Sequence, residues 1–196
     1  LIMARTNIKA TKAYKLGNSG ENKVLLMLNS INDPQYNIHN IMLKDNKGNT
    51  HQIDLICITS AGVFVIEVKN VCGYKIYGEN DSKYWTYDWI KNKEVIKCKL
   101  YNPILQNRTH VQEIRKILKD FNVPIYSMVT FSNNNVIVHQ NDLDDMVVSL
   151  KNIKNYLNLF PQNKLSETAR NAIKNTIIKA HHPEITLQEH INNIQK

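Results

Sequence analysis

Two short apolar runs constrain this chain more than any other feature. Gln52 to Thr59 and Val63 to Lys69 are rich in Ile, Val and Phe, and only Ser60, Ala61 and Gly62 separate them. Both faces of each run are apolar, which is the pattern of central strands covered on two sides. Set inside these runs are Asp54, Glu67 and Lys69, flanked by Ile53, Leu55, Ile66 and Val68. Ionisable groups so placed are costly to bury and are rarely plain surface residues.

Register sharpens the pattern. With a two-residue loop at Ser60-Ala61, Thr59 opposes Gly62, Asp54 falls opposite Glu67, and Gln52 opposite Lys69. Directly opposed residues of an antiparallel pair share a face at about 5 Å between Cβ atoms, and alternation puts Lys69 on the face of Glu67. Two facing carboxylates repel unless a cation relieves them. Two carboxylates, the backbone carbonyl of Val68 and waters suit Mg²⁺ or Mn²⁺. Such an ion can hold a phosphate oxygen and activate water, and Lys69 can orient that water or neutralise phosphate charge. The plainer alternative is a Lys–Glu cross-strand ion pair with Asp54 at a strand edge.

Around the hairpin, helical spacing of Val24, Leu25 and Leu28 predicts a helix from Asn18 to about Asn29. Strands are expected at Ile38–Leu43, in several pieces over 74–99, at Ile125–Phe131, at Val136–His139 and at Met146–Val148. Asn102-Pro103 opens a helix to about Asp120 with Asn as the cap and Pro in the first turn. Further helices follow over 150–159, from Ser166 to about Ala180, and after Thr186. This order predicts an α/β fold, a mixed central sheet flanked by helices. The length of 196 residues fits one domain. The late helices can cover the sheet or pack a homodimer.

A net charge of +8 favours anionic partners, nucleic acid first. Cys57, Cys72 and Cys98 are odd in number and lack C-x-x-C spacing, which argues against a disulfide framework or zinc ribbon and for a reducing cytoplasm. No apolar run approaches the roughly 18 residues of a membrane span, and the first residues lack a signal-peptide stretch. A P-loop and a G-x-S-x-G elbow are both absent.

Glu67-Val68-Lys69 following Asp54 resembles the E-x-K motif of the PD-(D/E)xK nuclease superfamily. Gly20-Glu21, Gln52-Ile53-Asp54, the run from Gly62 to Asn70, Gly73, Trp85, and Asn102-Pro103 with Gln106-Asn107 together resemble a nuclease-related (NERD) domain. The likeness implies a restriction-endonuclease-like core over 17–120, after a lead-in at 1–16 and completed by strands and helices over 121–196. It implies metal-dependent cleavage of DNA, RNA not being separable, with Asp54 and Glu67 on the metal, Lys69 assisting water, Glu21 completing the metal site and Gln106 pointing into it. Ile53 replaces the motif's proline, and Leu55 stands where many such domains carry histidine. A competing reading keeps the fold as a non-catalytic nucleic-acid-binding or assembly module.

Several residues have bland readings too. Glu21 shares the inward stripe of its helix, but Asn18-x-x-Glu21 also satisfies a capping box. His110 reads as a satisfied helix histidine. Aromatics and lysines interleave over 74–101; most read as ordinary cross-strand pairing, with Trp85 structural. His181-His182 reads as surface.

Overall fold

In the computed structural model, which describes residues 19–71, 75–133, 137–140 and 147–194, the two apolar runs form adjacent central strands. The lead-in, Asn18, Cys72, Gly73, Val136 and Met146 lie outside the described residues. The elements run in the expected order: helix α1 (19–29), β1 (Asn37–Lys44), β2 (Thr50–Ile58), β3 (Val63–Lys69), β4 (Lys75–Gly78), β5 (Tyr84–Lys91), β6 (Glu94–Tyr101), α2 (Pro103–Ile117), β7 (Ile125–Phe131), β8 (Ile137–Gln140), β9 (Val147–Ser149), α3 (Ile153–Asn158), α4 (Glu167–Lys179) and α5 (Leu187–Ile194). The expected helix over 150–159 begins instead as a 3₁₀ turn, Leu150–Asn152.

The strands form a mixed five-stranded sheet in the order β1-β2-β3-β7-β9. Its antiparallel half is β1-β2-β3, and β3, β7 and β9 run parallel. The remaining strands form a separate sheet, β6-β5-β4-β8, which the sequence pattern did not set apart from the first. Two apolar layers sandwich the main sheet. On one face Leu55, Cys57, Phe64, Ile66 and Val68 pack with Val24 and Leu28 of α1 and with Ile153 and Leu157 of α3. On the other, Ile56, Ile58, Val63 and Val65 pack with Val111 and Ile114 of α2 and with Ile173 and Ile177 of α4. So α3 and α4 cover the sheet. Among the described residues no helix is long and apolar enough to cross a membrane.

The β2–β3 loop has two residues, with Thr59 N–H donating to Gly62 O at 2.9 Å. A side chain at Gly62 would meet Pro124 O at 2.5 Å, so the turn needs glycine there. Pairing runs Ile58↔Val63, Cys57↔Phe64, Ile56↔Val65 and Leu55↔Ile66, the expected register. The ladder then stops, one residue short of Asp54. A second irregularity marks the same place. Asn40 of β1 stands at φ 53, and the β1–β2 pairing passes from His39↔Leu55 to Ile41↔Ile53 without it. The inward residues change parity there on both strands, from Ile38 and Ile56 to Ile41 and Ile53. The sheet therefore breaks at Asn40 and Asp54, and Asp54 is freed from the ladder.

Asn102 joins the two sheets through α2. Its Oδ1 caps the helix by accepting from Ile104 N–H (2.9 Å), and its Nδ2 donates to the carbonyls of Glu79, Asn80 and Ser82. Trp85, fully buried, donates its indole N–H to Glu79 O at 2.9 Å, in keeping with a structural role. The pair His181-His182 is no free surface either. Met42 N–H donates to His181 Nδ1 (3.0 Å) and His182 N–H to Met42 O (2.9 Å), which fastens the end of α4 to β1.

Replacing Asn102 by Ala removes a cap and leaves three part-buried loop carbonyls without its amide donor. The expected loss, read by urea denaturation, is about 2–3 kcal/mol. A loss below about 0.5 kcal/mol, the range of ordinary surface substitutions, contradicts this role.

Candidate active site

At the carboxyl end of β3 four elements meet. β3 carries Glu67 and Lys69, β2 brings Asp54, α2 brings Gln106 and His110, and the first turn of α1 brings Glu21. Glu67 is 1% exposed. Its Oε1 accepts from Lys69 Nζ at 2.6 Å. The same ammonium donates to Gln106 Oε1 at 2.9 Å. Val68 N–H, left without a ladder partner where the strands part, donates to Asp54 Oδ2 at 2.8 Å. The divergence of β2 from β3 thus turns a lost backbone bond into a fixed carboxylate.

The neighbouring elements are held just as firmly. Asn107, fully buried, donates its Nδ2 to Val65 O of β3 and to Ser127 Oγ and Met128 O of β7, so α2 cannot slide along the parallel strands. Gln106 and His110 follow on that helix one turn apart. At α1, a Cβ on Gly20 would lie 2.7 Å from Asn70 Cβ and 2.8 Å from Ser132 Oγ. Only glycine lets α1 approach β3 and β7 this closely beside Glu21.

The charges are strongly coupled. Burial raises the Asp54 carboxyl well above its usual range, and the carboxylates of Glu67 and Glu21 raise it further, against the Val68 bond and Lys69. Glu21 is raised by burial and by Glu67. Glu67 shifts the other way: burial opposes its charge, but Lys69 and then His110 outweigh it and hold the carboxyl low. Burial likewise disfavours the Lys69 ammonium, and Glu67, Asp54 and Glu21 more than compensate. Lys69 is therefore a fixed cation, not a base.

Do these residues fit a divalent metal? Among the described residues no three His, Cys, Asp or Glu side chains form a ready ligand cage. Mg²⁺ does not require one, since it keeps several waters and takes one or two protein carboxylates. Two observations fit such an ion. Glu67 Oε2 is buried and makes no hydrogen bond among the described residues. Asp54 is pushed up first by burial and then by the negative charge of Glu67 and Glu21, the part that a cation would relieve.

Asp54, Glu67, Lys69 and Gln106 thus come together, although Asp54 does so past the end of the ladder and not as the paired partner of Glu67 that the register predicted, and Glu21 lies close enough to feel Glu67 and Lys69. Gln52 does not oppose Lys69, because the β2–β3 ladder has ended; it pairs with Met42 and donates to Asn40 Oδ1 instead. The residue that sequence reasoning undervalued is His110. It is 4% exposed, its Nδ1 lies 3.4 Å from Glu67 Oε2, and that nitrogen makes no hydrogen bond among the described residues. Its spacing from Asn107 and Ile114, which puts it on the inward stripe of α2, was the available signal. Cys57 is no competing nucleophile, since burial pushes its thiol up to about 12.

The model of the nuclease-related domain family (NERD) matches residues 16–132, more than half of the chain. An uncharacterized protein of Bacillus anthracis is 31% identical over 152 residues, which cover 70% of this chain and 68% of that protein. No solved structure matches the chain.

Asp54→Asn keeps an acceptor for Val68 N–H and removes a crowded charge. Between the ordinary carboxyl range and its raised native value, Asp54 binds more protons folded than unfolded, so stability falls as pH rises through that window. In chelator-containing buffer the variant is expected to melt above the wild type at pH 8, with the gap closing towards pH 4. Each kcal/mol gained reads as about 2–4 °C at this chain length. A variant melting below the wild type at every pH contradicts the charge assignment.

Proposed function

The chain belongs to the nuclease-related domain family, and we propose that it is a divalent-metal-dependent nuclease that hydrolyses phosphodiester bonds of DNA. The observation that carries this reading is the buried Glu67–Lys69 pair with Asp54 and Gln106 gathered around it. A structural ion pair needs neither a crowded second carboxylate nor an unbonded carboxylate oxygen.

Asp54 and Glu67 would hold Mg²⁺ or Mn²⁺, with the Val68 carbonyl and Glu21 as further oxygen donors. A cation there supplies Lewis-acid polarisation of a phosphate oxygen and favours deprotonation of water. The protein's own groups do the rest. Lys69, fixed by Glu67 and Gln106, offers its ammonium to the attacking water and to the charge that develops on the phosphate. Gln106 uses its carbonyl on Lys69, which leaves its NH₂ to donate to water or phosphate. His110, 3.4 Å from the inner oxygen of Glu67, adds to Lys69 in keeping that carboxyl charged at its depth. Exposed Lys91, Lys93, Lys97 and Lys99 of the β5–β6 hairpin supply positive charge suited to a phosphate backbone. Free thiols at Cys57 and Cys98 suit a reducing, cytoplasmic setting.

With supercoiled and linear DNA, Mg²⁺ or Mn²⁺ is expected to support cleavage that chelator abolishes. Glu67→Ala and Lys69→Ala are each expected to lower the rate by about 10²-fold or more. Unchanged cleavage in Glu67→Ala contradicts the assignment. Tight binding without cleavage under either metal assigns the chain to non-catalytic nucleic-acid binding.

A further inference from the structure

Beside the candidate site lies a cavity of about 470 Å³ that the chemistry above does not use. Gln106 and His110 form the partition: each lines the cavity and each also touches the charged cluster, at Lys69 and Glu67 respectively. The floor is the start of β2, with His51 and Gln52. Tyr101 stands at one wall, and His190 and Asn193 of α5 form the other. α5 lies beyond the stretch the family model matches, so this wall is an addition to the shared domain. It is docked deliberately: His190 is buried, and its Nδ1 is 2.7 Å from Thr50 Oγ1. Burial and then the imidazoles of His51 and His110 push His190 below its ordinary value, as expected where three imidazoles gather around one space.

We propose that this cavity receives one unpaired nucleotide next to the scissile phosphate, so that the substrate is a single strand or a frayed end rather than an intact duplex. The inference rests on the nuclease reading of the adjoining cluster and specifies its substrate. Size is the first reason. Pockets of about 300–1,000 Å³ bury ligands of small-molecule size, a class that includes one nucleotide and excludes a duplex. Chemistry is the second. Tyr101 is 43% exposed and offers an aromatic face for stacking. The amides of Gln52 and Asn193 can pair with the donors and acceptors of a base edge, as such groups do for splayed-out bases. Position is the third. A nucleotide seated here has its phosphate at the partition, beside Lys69 and Gln106. Buried His110 also lines this boundary, with its Nδ1 3.4 Å from Glu67 Oε2 on the side of the charged cluster.

The test uses the full chain in EDTA, which separates binding from cleavage. Fluorescence anisotropy would follow a labelled twelve-nucleotide DNA strand, the same strand annealed to its complement, and competition by thymidine 5′-monophosphate. Single strand is expected to bind at least about ten-fold tighter than duplex. Tyr101→Leu removes the stacking face and is expected to weaken strand binding by about ten-fold, within the range of one stacked base, while leaving duplex binding unchanged. Asn193→Trp, an exposed helix position that fills the cavity, is expected to do the same; circular dichroism checks that both variants fold. Equal affinity for strand and duplex, or a preference unmoved in both folded variants, overturns the proposal. Cavity-dependent binding of the monophosphate without the strand assigns the pocket to a free nucleotide and overturns it too. The two readings fail separately. Chelator-sensitive cleavage with no strand preference removes this subsite and leaves the nuclease. Cavity-dependent strand binding without cleavage removes the nuclease and leaves the subsite.

Discussion

The contact on which the structure turns is the 2.6 Å bond between Lys69 and Glu67 at the end of β3. Glu67 is an acid at the heart of a sheet covered by helices on both faces, and burial of an unpaired carboxylate there would cost several kcal/mol. Everything around it limits that cost. Lys69 pairs with it, Gln106 anchors Lys69, His110 approaches its second oxygen, and Asn107 fixes the helix that carries both partners. The apolar layers above and below the sheet keep these groups in register. Without them the pair would be an exposed salt bridge of little consequence.

The pairing is incomplete by design of the fold. One cation neutralises Glu67, but Asp54 and Glu21 add negative charge nearby, and Asp54 is held in place by Val68 N–H because the sheet breaks beside it. Such crowding weakens a protein and is found where function needs it. The break at Asn40 and Asp54 is therefore as much a part of the site as any side chain. The cavity beyond Gln106 and His110 adjoins the same cluster, and α5 supplies one of its walls through His190 and Asn193.

Much of this was legible in the sequence. Period-two alternation and an even-numbered loop fix the β2–β3 register as far as Leu55↔Ile66 and put Glu67 and Lys69 on one face, while Asp54 joins them past the end of the ladder, held by Val68 N–H. Asn102-Pro103 marks the start of α2 because capping is local chemistry. Other features depend on distances between elements that no local pattern encodes. The end of the ladder before Asp54 coincides with the left-handed turn at Asn40 on another strand. His110 meets Glu67 only because α2 crosses β3 at a particular height. The split into two sheets, and the docking of His181 on Met42, likewise come from packing between segments far apart in sequence.

The central claim is that the charge cluster at the end of β3 is a cation site. Anomalous diffraction from a crystal soaked in Mn²⁺ tests it most directly. The account predicts a manganese peak bonded to the carboxylates of both Asp54 and Glu67. No peak at saturating Mn²⁺, or a peak that touches neither carboxylate, would contradict it.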